Sequence, residues 1–262
     1  NENFVIVDIT TPERRVIGEC CRFSAPMLLH EEAIYIHEGQ QYQVEKLDYE
    51  EKKAYVKMVD VDYYTDANLE VDLKVLDVFK EEKMGDIVKC KGEVMVSSLV
   101  TMFKKIKFYT HENIGSGPVK LPEITMHTIS YWVSFPEELP YGMSQTDMQN
   151  GLLGLSNLMP NACTIYLMCD PKDISVVYQV KSTFTQMPTI YIYDNYPGGV
   201  GFSDRLYEIH EEIFKTAKEM IEDCVCESGC PSCVGPLEEF SGSGNPKELT
   251  LKLINMILEN CT

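Results

Sequence analysis

The sequence predicts an α+β fold in which a small antiparallel, barrel-like β module precedes a mixed α/β module with a four-cysteine site between two helices. Runs that alternate apolar and polar residues fill most of residues 30–111, as expected of strands with one buried face. Apolar residues at helical spacing appear in the second half. Four cysteines stand close together between the last two helical stretches.

The first half of the chain predicts the β module. We expect residues 1–29 to form an N-terminal connecting segment. It begins with a strand-like run over Phe4–Ile9, and residues 10–30 are expected to be helical or irregular. Because the chain starts at Asn1 with no initiator methionine, we also expect it to be a piece of a longer protein. The strand-like runs that follow are Ile34–His37, Gln41–Leu47, Ala54–Val59, Val61–Thr65, Leu69–Phe79 and Ile87–Ile106. Short strands at this spacing are typical of a small barrel or a strongly curved sheet.

The second half of the chain predicts a linker and then a mixed module. Residues 112–122 are rich in glycine and proline and are the predicted linker. Residues 123–262 are the predicted mixed module. Its predicted strands are Thr125–Phe135, Ala162–Cys169, Ile174–Val180 and Thr189–Tyr193, and its predicted helices are Ser144–Leu158, one from a Ser203 cap to Glu222, and one beginning at Asn245-Pro246.

Composition limits the classes of function. Hydrophobic residues make up 44% of the chain, and no apolar run has the length of a membrane span. The net charge of −18 excludes a broad nucleic-acid surface and leaves only a local patch. Six cysteines outside the cluster are dispersed, which favours free thiols in a reducing cytoplasm over a disulfide framework; they are Cys20, Cys21, Cys90, Cys163, Cys169 and Cys261.

The cysteine cluster predicts a metal centre. Cys224, Cys226, Cys230 and Cys233 lie within ten residues in the pattern C-x-C-x3-C-x2-C. Four thiolates suit one tetrahedral structural Zn²⁺ ion. Two local disulfides, a redox CxxC pair and an iron–sulfur cluster remain as alternatives. A closed structural site names no reaction by itself.

A glycine-rich turn precedes the longest predicted helix of this region. Pro197, Gly198, Gly199 and Gly201 follow a strand-like run. Such a turn can let a strand and a helix pack closely, which we favour, or it can bind an anion through backbone N–H groups. It matches neither a P-loop nor GxGxxG.

One basic and aromatic run suits single-stranded nucleic acid. Rings that stack on bases and ammonium groups that meet phosphates are typical of such surfaces. An edge strand protected by lysines explains the same pattern, and the acidic background favours that explanation. The candidate residues are Phe103, Lys104, Lys105, Lys107, Phe108 and Tyr109.

No catalytic motif is evident. The five histidines are dispersed, and His210 lacks the second histidine of an HExxH site, so we expect it on a helix surface. There is no P-loop and no G-x-S-x-G elbow.

Several motifs together resemble the MrfA zinc-binding domain (MZB). They are Tyr193-Asp194, the turn Pro197-Gly198-Gly199-Val-Gly201, a helix of about twenty residues, and the cysteine cluster ending in Cys230-Pro-Ser-Cys233-Val-Gly. This domain lies at the C-terminal end of MrfA/YprA-type DEAD/DEAH-box DNA repair helicases. Weaker similarity extends upstream through residues 34–42 and 61–65.

The resemblance implies an ATP-dependent superfamily 2 helicase that moves 3′ to 5′ along single-stranded DNA in repair. Its motor would precede Asn1, and ATP and Mg²⁺ would bind only there. It also implies that the four cysteines hold one structural Zn²⁺, that the partners are the motor domains of the same polypeptide and single-stranded DNA, with no membrane, and that the location is the bacterial cytoplasm. The alternatives are a non-catalytic interaction module that docks a basic partner and a redox enzyme that uses the CxxC pair.

Overall fold

The fold is α+β, as predicted. A computed structural model describes residues 3–138 and 142–261. The chain divides into two compact units. The first unit extends to Asp72 and resumes over Ser97–Thr125; the second comprises Leu73–Val96 and the chain from Met126 onward.

The first unit is built on a five-stranded sheet in the order β2-β1-β5-β4-β3. Its strands are β1 (Phe4–Asp8), β2 (Arg15–Cys20), β3 (Ile34–His37), β4 (Gln40–Asp48) and β5 (Lys53–Met58). The predicted sheet was wholly antiparallel, whereas β1 and β5 pair in parallel. Phe4, Ile6, Val44, Ala54 and Val56 from these strands form the centre of its core.

The first 29 residues are more than a connection. They supply β1, β2 and a short helix α1 (Ala25–Leu28) to the first unit. The pattern did not predict β2 because this strand is at the edge of the sheet and only Cys20 in it is buried, so its side chains carry little apolar alternation.

Two long strands carry the chain between the units, and four more follow. The second sheet has the order β10-β11-β9-β7-β6, with β8 also paired to β7. Its strands are β6 (Tyr63–Met84), β7 (Ile87–Lys107), β8 (Asn113–Pro118), β9 (Ile124–Ser134), β10 (Ile174–Gln179) and β11 (Thr189–Asp194). The side-chain amide of Gln179 in β10 donates to the carbonyl of Leu73 in β6 at 3.2 Å. Opposite ends of the strand order therefore approach each other, so this sheet is strongly curved.

The structure corrects the prediction of a linker over residues 112–122. Most of it is β8, which pairs antiparallel with Met102–Ile106 of β7. Packing explains the glycine at position 117, because a Cβ there would lie 2.6 Å from the ring of Phe103. A glycine that lets a ring approach the backbone has the same appearance in the sequence as a flexible glycine.

Four further helices belong to the second unit: α2 (Gln145–Leu167), α3 (Phe202–Glu208), α4 (His210–Asp223) and α5 (Pro246–Glu259). The prediction ended α2 at Leu158 and placed a strand over 162–169, but the helix continues through Pro160. Gly201, not Ser203, caps α3, and the predicted single helix breaks at Ile209. Within the described residues, no helix is long and apolar enough to span a membrane.

Close packing of α2 against α5 organises the helical part of the second unit. A Cβ on Gly151 would lie 2.7 Å from Leu253 Cδ1, and a Cβ on Gly154 would lie 1.9 Å from Thr250 Oγ1. These glycines let α5 approach α2 more closely than any side chain permits. The same core includes Val234, directly after the last clustered cysteine.

Candidate metal centre

The four clustered cysteines lie between α4 and α5, as predicted. Cys224 is the C-cap of α4, whose last residue is Asp223. The chain then passes through the other three cysteines before Asn245 caps α5. Both sides of the cysteine loop are therefore held by helices that are packed in the core.

The spacing of the four sulfur atoms fits one tetrahedral metal ion. Four of the Sγ–Sγ distances are 3.4–3.6 Å, and all four ligand atoms lie within 4.8 Å of one another. Zn–S bonds of about 2.3 Å in a tetrahedron place the sulfurs about 3.8 Å apart. A disulfide needs an S–S distance of about 2.05 Å, and all four cysteines are free thiols. In a multi-iron cluster the thiolates bind different iron atoms and spread further apart, so a single ion fits best.

A tight turn presents the second pair of ligands. The backbone N–H groups of Cys233 and Gly235 both donate to the carbonyl of Cys230 at 3.0 Å. Gly235 has φ of 111°, a conformation that side chains rarely adopt. The Cys233 side chain is buried, and Asn157 on α2 donates to the carbonyl of the next residue, Val234, at 3.0 Å. The cysteine turn is thereby fixed to α2.

The N-terminus of α5 holds the first pair of ligands. Lys247 Nζ donates to the backbone carbonyls of Cys224 at 2.6 Å and Cys226 at 2.8 Å. The backbone N–H of Lys247 donates to Ser228 O at 3.0 Å. Four thiolates around Zn²⁺ leave a net charge of −2, so an ammonium group and a helix N-terminus at this position stabilise the loaded site.

The thiols differ in how readily they lose a proton. The backbone N–H of Cys226 and the neighbouring thiols lower the pKa of Cys224 to about 7. Burial and hydrogen bonds with the other thiols raise the pKa of Cys226 to about 12. Metal binding must therefore release protons, because cysteine coordinates a metal as the thiolate.

The glycine-rich turn is occupied by a side chain of the protein itself. The buried carboxylate of Asp194 accepts hydrogen bonds from the backbone N–H groups of Val200, Gly201, Phe202 and Ser203 at 2.7–3.2 Å. A Cβ on Gly199 would lie 2.7 Å from Ile129. The N–H groups that would cradle an anion are already used, which supports the close-packing role of Pro197, Gly198, Gly199 and Gly201.

The basic and aromatic run is dispersed between core and surface. Phe103 is buried and lies against His30, with ring centroids 4.6 Å apart, so it is not free to stack on a base. The prediction that Phe103 contacts nucleic acid is therefore corrected, because the alternation of side chains along β7 directs its ring into the core. Two lysines of the run form ion pairs within the protein: Lys105 Nζ lies 3.6 Å from Glu32 Oε1, and Lys107 Nζ lies 3.8 Å from Asp62 Oδ2.

The remaining candidates of this run lie nearer the surface. Lys104 and Tyr109 are exposed, and Phe108 is half-buried against Tyr64.

His210 is a second correction, because it is buried rather than on a helix surface. Its Nδ1 shares a hydrogen bond with the hydroxyl of Tyr131. Burial, and next the charge of Lys89, lower the pKa of His210 to about 4. The signal that could have predicted this burial is the helical spacing of His210 from Ile213, Phe214 and Ala217, which form the buried face of α4.

The fold and the centre together are those of a zinc-binding α+β domain. Residues 155–234 match the family model described as the MrfA Zn-binding domain, so the resemblance predicted from the sequence is confirmed. The chain is 47% identical over 257 residues to the "uncharacterized ATP-dependent helicase YprA" of Bacillus subtilis strain 168, covering 98% of this chain and 34% of that protein. It is 23% identical over 247 residues to the ATP-dependent helicase HRQ1 of Saccharomyces cerevisiae, covering 89% of this chain and 23% of that protein.

Solved structures show the same relationship. The chain resembles a crystal structure of the DUF1998 helicase MrfA bound to DNA with a TM-score of 0.72 and 46% identity, over 98% of this chain and 34% of that one. A structure of MrfA described without DNA gives a TM-score of 0.70 and 41% identity, over 97% of this chain and 34% of that one. The chain thus spans about a third of the length of YprA and MrfA.

Proposed function

We propose that this chain is the zinc-binding C-terminal accessory region of an ATP-dependent superfamily 2 DNA helicase that moves 3′ to 5′ and acts in DNA repair in the cytoplasm. The motor that binds ATP and Mg²⁺ would lie outside this chain. The observation that carries the proposal is the likeness, over 98% of this chain, to a helicase whose structure was solved with DNA.

The accessory role is mechanical. The cysteine loop joins α4 to α5, Lys247 attaches α5 to that loop, and Asn157 attaches α2. One Zn²⁺ ion would therefore hold three helices at fixed angles. A rigid body of this kind beside a motor helps to guide or enclose one DNA strand as the motor advances.

Fewer of the candidate DNA-contacting side chains are accessible than the sequence predicted. Phe103 is in the core, and the ammonium groups of Lys105 and Lys107 already face carboxylates. Lys104 and Tyr109 remain exposed. Most of the contacts with DNA would therefore come from the motor.

The deciding experiment compares metal content with DNA unwinding in the full-length protein. The variant Cys226→Ser should lose zinc and lose processive unwinding, while ATP hydrolysis stimulated by single-stranded DNA persists. Cys169→Ser removes a thiol outside the cluster and serves as the matched control. Normal unwinding by a zinc-free variant would contradict the mechanical role.

Thiol counting tests the redox alternative. In the zinc-loaded protein, a thiol reagent should modify the clustered cysteines only after a chelator is added. A clustered thiol that reacts rapidly with the metal still bound would favour redox chemistry instead.

A further inference from the structure

A groove on the first unit has walls of fixed geometry. It has a volume of about 730 Å³ and lies between the β3–β4 hairpin, residues 58–62 and the end of β7. The side-chain amide of Gln41 donates to Val61 O at 3.1 Å and accepts from Val61 N at 2.9 Å. The backbone N–H of Phe108 donates to Asp62 O at 3.1 Å. The three segments are thus joined by hydrogen bonds around the groove.

Apolar side chains in the groove are open to solvent. Ile36 is 52% exposed, Met58 is 47% exposed and Tyr109 is 99% exposed. Exposed branched, thioether and aromatic side chains that share one concave surface are typical of a protein-binding site.

The charge of the groove is negative. Asp60 and Asp62 are in its lining, and no lysine or arginine is present among the described residues that line it. Lys107 lies 3.8 Å from Asp62 and compensates it in part, while Asp60 is exposed. A phosphate backbone in this groove would meet carboxylates, whereas a lysine or arginine side chain would find a complementary charge.

We infer that this groove docks a basic peptide segment of a partner protein, in which an apolar side chain packs against Ile36, Met58 and Tyr109 while a neighbouring lysine or arginine faces Asp60 and Asp62. The apolar contact supplies the affinity, and the two carboxylates select for the positive charge. This interaction lies beyond the helicase role proposed above and does not depend on the zinc centre.

Fluorescence anisotropy with defined probes tests the inference. The probes are a labelled nine-residue peptide that alternates lysine with leucine, the same peptide with glutamate in place of lysine, and an oligo-dT of fifteen nucleotides. The lysine peptide should bind, and Asp60→Asn combined with Asp62→Asn should weaken it about tenfold. Ile36→Thr, which keeps a strand-forming residue, should also weaken it.

A matched charge control separates the groove from the general acidity of the chain. Glu13→Gln combined with Glu50→Gln removes two exposed carboxylates elsewhere and should change the affinity less than about twofold. Equal weakening by both double variants would overturn the inference. Tighter binding of oligo-dT that is lost in Tyr109→Ala would make the groove a nucleic-acid surface. Dimerisation abolished by Ile36→Thr would make it a contact between copies.

Discussion

Single side chains decide how this chain uses its polar groups. Asp194 fills the N-terminus of α3 with its own carboxylate, so the turn that could have bound an anion instead closes the fold. Lys247 has the opposite charge and acts at α5, where its ammonium group donates to the backbone carbonyls of two of the clustered cysteines, Cys224 and Cys226. In both cases one charged group supports the backbone of a helix end.

Removing the Lys247 ammonium should weaken the metal centre. Lys247→Met keeps an unbranched side chain of similar length but loses both hydrogen bonds of the ammonium group, so we expect about a tenfold loss of zinc affinity. Competition with a chromogenic chelator measures this. Lys252→Met, an exposed position on the same helix, is the control. Equal affinities for the two variants would show that Lys247 does not support the ligands.

His210 should make stability depend on pH. Its pKa is about 4 in the folded protein against 6.5 when unfolded. Between pH 4 and pH 6.5 the unfolded state therefore binds more protons than the folded state. The stability that the neutral His210 contributes is complete above pH 6.5 and is lost as the pH falls towards 4. The total is about 3 kcal/mol.

Urea denaturation across this pH range checks the prediction. The pH dependence of the free energy of unfolding should be shallower for His210→Asn than for the wild type. It should be unchanged for His127→Gln, an exposed histidine. The same slope in all three proteins would refute the role of His210.

At the scale of elements, the crossing of α2 and α5 is a tightly constrained contact. Gly154→Ala would push a methyl group into Thr250, so we expect the free energy of unfolding to fall by about 2 kcal/mol. Gly115→Ala is the control, because its nearest neighbour, Lys105 Cδ, is 3.6 Å away. Urea denaturation compares the two; equal stabilities would mean that α5 shifts at no cost.

The sequence predicted elements best where local chemistry fixes them. Asn245 followed by Pro246 predicted the start of α5, and the Asn245 side chain indeed accepts from the N–H groups of Lys247 and Glu248. The pattern failed for the second half of α2, where Pro160 and the apolar run after it resemble a break and a strand. Burial of Met159, Ala162 and Cys163 in the core, and a 2.7 Å hydrogen bond between the hydroxyls of Tyr166 and Thr216 on α4, hold the helix there. Such packing partners are not visible in a local pattern.

The candidate site was likewise predictable only in part. Four cysteines within ten residues are necessarily close in space, so their clustering could be predicted from their spacing alone. The contacts of Lys247 and Asn157 with the cysteine loop required the fold, because both residues come from helices distant in the sequence. Asp194 was part of the quoted motif, but its role as an acceptor depends on how the strand meets the helix.

At the scale of the whole molecule, the second unit should depend on its metal. Cys230→Ser should reduce zinc from one ion per chain to none and lower the melting temperature, because thiolate–metal binding contributes directly to folding. Elemental analysis and a thermal melt of the purified chain measure both. Cys169→Ser should change neither. Full zinc content in Cys230→Ser would exclude that residue as a ligand.

The compactness of the cysteine cluster also has a consequence for the order of folding. All four thiols come from one short stretch, so chelation requires only local loop closure, which is fast. The curved sheet, by contrast, must bring β6 and β10 together across much of the chain. We expect refolding with zinc present to form the metal loop first and the sheet later, with the supply of metal controlling the early phase.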